Sequence, residues 1–158
     1  MINQILNFFY PIVILVSISV IGSALYVEHI LSVAPCKLCL YQRIPYGISI
    51  VICFFGYFFS ANKFWVHLLI INFLFSIFIS GYHVGIENNI FIEFSGCVNK
   101  NLNITNKAEL LKNLNSFLPD CKDISFTIYG LSLATINFIL SIALTVISIR
   151  YFFYEKNK

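Results

Sequence analysis

The sequence predicts an all-α membrane protein, a bundle of four transmembrane helices with two loops on one side. Three observations carry that expectation. Apolar residues make up 59% of the 158-residue chain and charged residues only 11%, far from the balance of a soluble domain. Mean hydropathy is +0.85. Four apolar stretches are each drawn as a span, a crossing that takes roughly 20 residues for about 30 Å of hydrocarbon. The formal charge of +3 is dispersed and no basic run tracks along the chain, which sets nucleic-acid binding aside.

The first span covers about 8–27. Its leading residues MINQILN hold no lysine or arginine and no small-residue cleavage pattern follows, so it reads as a retained span and not a removed signal peptide. The second apolar run, 44–59, is short for a crossing, so its helix is expected to begin earlier, with a span over about 40–59 and the cysteines of PCKLC on its first turns. The third span is expected over about 64–82, after a short SANK turn, and the fourth over about 126–149, ending at Arg150 and a charged tail. The whole chain, 1–158, reads as a single membrane domain.

An even number of spans puts both termini on one side and both loops, about 28–39 and 83–125, on the other. Cys36, Cys39, Cys97 and Cys121 then share a compartment. Lysine and arginine are more numerous on the cysteine side than on the terminus side, against the usual positive-inside bias. Paired cysteines persist on the oxidising face, and this weighs more: the loops are expected in a bacterial periplasm and both termini in the cytoplasm. Cys53 falls inside the second span and reads as a small apolar core residue.

The stretch PCKLCLYQRIP carries the chemistry. Pro35 suits a first helical turn, and cysteines just after it lie at the positive end of the helix dipole, where thiolates are favoured. Arg43 lies four residues beyond Cys39, on the same helical face, and its charge is expected to lower a thiol pKa further. Pro45 is expected to bend the helix and open space beside the arginine. A four-cysteine zinc site is the alternative, but Cys97 and Cys121 are far apart and look like the ends of a disulfide-closed loop. Spacing alone does not choose among the possible cysteine connectivities. Between those two cysteines, Asn106 with Glu109 resembles a capping box opening a short amphipathic helix through Leu118, suited to the membrane surface.

His83 lies at the outer end of the third span, where an ionisable residue is a functional candidate and a structural hydrogen-bonder is the equal alternative. Glu87, one turn on, is in reach of His83 but is expected to face water. His67, Asn72 and Asn137 lie within spans and are expected to make helix–helix hydrogen bonds.

Together PCKLCLYQR, GYHVGIE, the loop cysteine pair and CKDISFTIYGLSLATINF resemble the DsbB family of bacterial disulfide-generating membrane proteins, over nearly the whole chain. The resemblance implies a protein-disulfide-oxidising quinone reductase in the bacterial inner membrane. A DsbA-like periplasmic thiol oxidase would be its partner, and ubiquinone or menaquinone its cofactor. It implies that Cys97 is attacked by the partner's thiolate, that Cys121 is its mate, and that Cys36 exchanges with the loop pair. Cys39 would contact the quinone and Arg43 would stabilise the charged state there; His83, from its depth at the end of the third span, is the further candidate for that site. Gln42 occupies a place where relatives often carry an acidic residue, a change expected to matter little to the sulfur chemistry. A vitamin-K-epoxide-reductase-like enzyme is the neighbouring alternative, by analogy of chemistry alone.

Overall fold

Inside hydrocarbon a backbone can satisfy its own N–H and C=O groups only by helix or closed barrel, and the apolar runs of this chain take the helical solution. The computed structural model describes residues 8–59, 64–92, 121, 126–128 and 130–156. Among them are four long helices: α1 Phe9–His29, α2 Lys37–Phe58, α3 Phe64–Glu87 and α4 Leu133–Lys156. All four are long and apolar enough to cross a membrane, so the chain is a multi-pass membrane protein. Consecutive helices pack on one another, α1 on α2, α2 on α3 and α3 on α4. The end of α1, the start of α2, the end of α3 and the start of α4 therefore gather at one end of the bundle.

Helix limits differ from the hydropathy reading where caps intervene. α2 starts at Lys37, with Cys36 as N-cap and Pro35 outside the helix, not in its first turn. α3 runs on to Glu87, past the expected limit near Tyr82. There Asn89, at φ 59, takes the left-handed position that asparagine tolerates. Ile90 N–H donates to Gly85 C=O and Asn89 N–H to Ile86 C=O, a Schellman ending. The fourth helix does not begin at residue 126. Ahead of it, Thr127–Ile128 (β1) and Leu131–Ser132 (β2) pair as antiparallel strands. Gly130, at φ 80, supplies their turn. The Ser132 hydroxyl then accepts from Thr135 N–H and caps α4. Hydropathy has no means of seeing these caps, since they depend on single polar atoms.

Small polar residues join the helices. Ser17 and Ser49 hydroxyls meet at 2.7 Å between α1 and α2, and Ser76 and Ser141 at 2.9 Å between α3 and α4, as in membrane bundles where apolar contact alone does not distinguish protein from lipid. Asn72 donates from α3 to the Pro45 carbonyl at 2.8 Å, and α2 runs through Pro45 without interruption. The main core gathers Phe9, Tyr10, Val13, Tyr46, Cys53, Phe73 and Leu144. Cys53 is a free, fully buried thiol within it. His67 packs its ring edge-on to Phe152. The expected SANK turn (residues 60–63), the helix through 106–118 and Cys97 lie outside the described residues.

Candidate active site

The site is built where α2 begins. The Cys36 sulfur caps the helix by accepting from the Cys39 backbone N–H at 3.3 Å, and the two Sγ atoms are hydrogen-bonded at 2.9 Å. On the other side of Cys36, His83 Nε2 lies 3.7 Å from Sγ. A sulfur ringed by donors is the better thiolate. The Cys39 thiol, reinforced by the His83 ring and opposed by burial, holds the Cys36 thiol well below its usual range. In this dithiol state the acidic sulfur is Cys36, and its partners are Cys39 and His83 rather than the expected arginine.

Arg43 is occupied elsewhere: its guanidinium donates to the Glu28 carboxylate of α1 at 2.5 Å. Both residues line the cavity that Cys36 and Cys39 also line, so the expected same-side placement of Arg43 is realised with a counter-charge attached. Glu28 had no sequence signal beyond being a charge at the end of an apolar run.

His83 is buried, 3% exposed. Glu87 does not face water as expected. Its carboxylate accepts from the Ser132 hydroxyl at 2.5 Å, and its other oxygen stands 3.9 Å from His83 Nε2. The extension of α3 past Tyr82 is what turns this side chain inward. Gln42, expected to be of little consequence, lies 2.9 Å from His83 Nδ1 and accepts from the Asn137 amide at 3.1 Å. Asn137 makes the helix–helix bonds its position suggested, receiving the Tyr46 hydroxyl as well. A glutamine in an apolar helix, three residues after Cys39, was the available signal for this contact.

Cys121 is 2% exposed and packs in one buried cluster with Cys36, Leu38 and Ile86. It is disulfide-bonded, whereas Cys36 and Cys39 are free. The cluster brings a disulfide sulfur from the long loop against the N-cap cysteine. In this state Cys121, held in a disulfide, offers no thiolate to a four-cysteine zinc site. Cys36, Cys39 and His83 do present three ligand atoms within 4.8 Å of one another, a donor set zinc would accept.

A cavity of about 230 Å³ opens between the outer halves of α1 and α4. Its floor carries Cys36, Cys39, Gln42, Arg43 and His83, and its walls are apolar, with Val20, Ala24 and Val27 on α1 and Leu133, Ile136 and Leu140 on α4. A second hollow, between α2 and α3, has Leu38, Ile44, Phe75 and Phe78 in its lining. It offers no sulfur or charge and so no redox chemistry.

The family model described as "Disulfide bond formation protein DsbB" matches residues 7–150. The chain belongs to the DsbB family. Membership makes it a membrane disulfide oxidoreductase. The chain is 27% identical over 151 residues to an uncharacterized protein of Rickettsia prowazekii (strain Madrid E), covering 92% of this chain and 87% of that one. It is 29% identical over 82 residues to Disulfide bond formation protein B of Ralstonia nicotianae (strain ATCC BAA-1114 / GMI1000), covering 51% of this chain and 52% of the other. No solved structure matches.

Proposed function

We propose that this protein, as a single membrane domain, oxidises a DsbA-like periplasmic dithiol partner and passes the electrons to a membrane quinone. The observation that supports it most is the meeting, at one end of the bundle, of a free dithiol, a buried disulfide sulfur and an amphiphilic cavity. With the loops in the periplasm, the termini lie in the cytoplasm and the spans in the inner membrane.

The relay consists of disulfide exchanges, each balanced in sulfur and electrons. The partner's thiolate attacks Cys97, and the second partner thiol then releases the oxidised partner, leaving Cys97 and Cys121 reduced. A loop thiolate attacks the oxidised Cys36–Cys39 pair, and completion of the exchange restores the loop disulfide and leaves Cys36 and Cys39 as thiols. Cys121 shares a buried cluster with Cys36, so the attack falls on Cys36 and Cys39 leaves as thiolate. The depressed pKa of Cys36 then makes it a good leaving sulfur when the loop mate closes the loop disulfide.

The residues present fit a quinone. An apolar cavity of about 150 Å³ is enough for benzene, so about 230 Å³ has room for a substituted ring. The head group would face Cys39, Arg43 and His83, and the apolar walls of α1 and α4 would take the adjoining tail. When bound, quinone supplies the acceptor for two electrons and two protons. Arg43 places a permanent positive charge where negative charge develops, and Glu28 holds that guanidinium in place.

Separating the half-reactions tests the assignment. Arg43→Ala should slow reoxidation of the reduced protein by added quinone about a hundredfold, the scale of losing one stabilising group for developing charge. Single-turnover oxidation of the partner should change little. Cys97→Ser should do the reverse. An arginine variant that loses partner oxidation while keeping quinone reactivity would sink the assignment. The zinc reading has its own check: metal analysis of the reduced protein should find far less than one zinc per chain.

A further inference from the structure

We propose that Tyr46, Asn137 and Gln42 form a one-way hydrogen-bond chain that fixes the ring of His83 as a donor toward Cys36, making Gln42 and Asn137 positioning residues. The proposal rests on reading Cys36 as a redox sulfur and adds to it how its neighbour is held.

Each link restricts the next. An amide nitrogen only donates and an amide oxygen only accepts. With the Gln42 amide nitrogen 2.9 Å from His83 Nδ1, that ring nitrogen must offer its lone pair. The Gln42 oxygen accepts from the Asn137 nitrogen at 3.1 Å, which turns the Asn137 oxygen toward Tyr46, whose hydroxyl donates to it. Ser141, 3.3 Å from the Tyr46 oxygen and 2.9 Å from the Ser76 hydroxyl, continues the line to α3.

The other end of the chain demands the same polarity. On the Nε2 side of the ring stand Cys36 Sγ at 3.7 Å and a Glu87 oxygen at 3.9 Å. The ring is also hydrogen-bonded to the Cys121 backbone. Thiolate and carboxylate are acceptors only, so the Nε2 position must carry a proton. A neutral imidazole has one N–H to give, and Gln42 directs it to that side.

A second proton on Nδ1 would face the Gln42 NH₂ group. Accommodating it requires Gln42 and Asn137 both to turn over, and Tyr46 to donate to Ser141 instead. The chain therefore opposes the imidazolium and makes His83 a fixed donor to the Cys36 thiolate instead of a proton carrier. Gln42 is suited to this by being an amide: a carboxylate in its place would accept from Nδ1–H and call for the opposite ring state. Gln42, Asn137 and Tyr46 thus act on Cys36 through the histidine without touching its sulfur.

The ring nitrogens of the reduced full-length protein, labelled with ¹⁵N-histidine in detergent, report the tautomer directly, with the His83 signals identified by their loss in His83→Gln. His83 in the unaltered protein should show one unprotonated Nδ1 and one protonated Nε2 at neutral pH. In Gln42→Glu the Nδ1 signal should shift to the protonated position. In Asn137→Leu, which leaves His83 and Gln42 in place but frees the Gln42 amide to turn, Nδ1 should become partly protonated while Nε2 keeps its proton. A protonated Nδ1 in the unaltered protein, an unchanged ring in Gln42→Glu, or an Nδ1 in Asn137→Leu as fully unprotonated as in the unaltered protein would each overturn the proposal. None of these readings needs quinone turnover. A protein with the expected tautomers but no thiol-dependent quinone reduction would leave this inference standing and remove the function proposed above.

Discussion

The two ends of the bundle are built on opposite principles. At the end away from the cysteines, Phe9 of α1 stacks on Tyr151 of α4 at 4.2 Å between centroids, and Tyr10 meets the same ring edge-on. Gly56 of α2 lets Tyr10 approach so closely that an added Cβ would lie 2.6 Å from its ring. Val66 and Leu69 beside them are fully buried. At the cysteine end, α1 and α4 stand apart around a cavity, and the contacts there are polar: Glu28 with Arg43, Ser132 with Glu87, and Gln42 with His83. Aromatic packing joins the two outer helices at one end, and the cavity lies between them at the other. The proposed chemistry belongs to that open end, where reacting groups need room.

Filling the open end should give the largest effect. Ala24→Trp adds a ring to the α1 wall of the cavity, and overpacking of about 1–3 kcal/mol corresponds to a rise of about fivefold to a hundredfold in the KM for quinone. Partner oxidation in a single turnover should stay near the unaltered rate. Unchanged quinone kinetics would show that the wedge between α1 and α4 is not the route used.

Disturbing the closed end should act on stability instead. Gly56→Ala forces its Cβ against Tyr10 and should cost about 1–3 kcal/mol, read as a lowered thermal midpoint in detergent. Activity per folded molecule should persist. Lost turnover at full stability would mean the two ends are not separable in this way.

The electrostatics of the open end predict a pH profile. Cys36 is held as thiolate by Cys39 and His83, so its alkylation in the reduced protein, followed by mass spectrometry, should stay fast as pH falls below the ordinary thiol range. An unperturbed thiol would instead slow about tenfold per pH unit there. The sign for stability follows: a lowered folded-state pKa stabilises the reduced protein above the ordinary thiol pKa, and this is lost as pH falls through the folded value. Alkylation that tracks a free thiol would remove the role given to the Cys36 environment.

Cys53→Ala should have the smallest effect. The side chain is buried in the main core and free, so losing its sulfur should cost about 1 kcal/mol or less and leave turnover unchanged. Inactivity in well-folded protein would make it a redox centre after all.

The sequence by itself determined the four long apolar helices seen among the described residues, the placement of Cys36 and Cys39 at a helix start, and the presence of Arg43 on the same side of the bundle. Each of these depends on local quantities: the length of an apolar run, the residues near a cap, and a spacing of four along one helix. Only the tertiary structure decided what those groups touch. Glu28 reaches Arg43 from another helix, Gln42 meets His83 across a separation of 41 residues, and Asn137 meets Gln42 across 95. Such contacts depend on how each helix is rotated about its axis. A chain facing lipid outside and an apolar core inside gives little hydropathy contrast to read that rotation from. The same holds for Glu87, whose burial followed from one further turn of α3, and for Cys121, which long-range packing placed against Cys36. Hydropathy reports which segments leave water, whereas the pairing of polar atoms inside is set by the geometry of helices packed together.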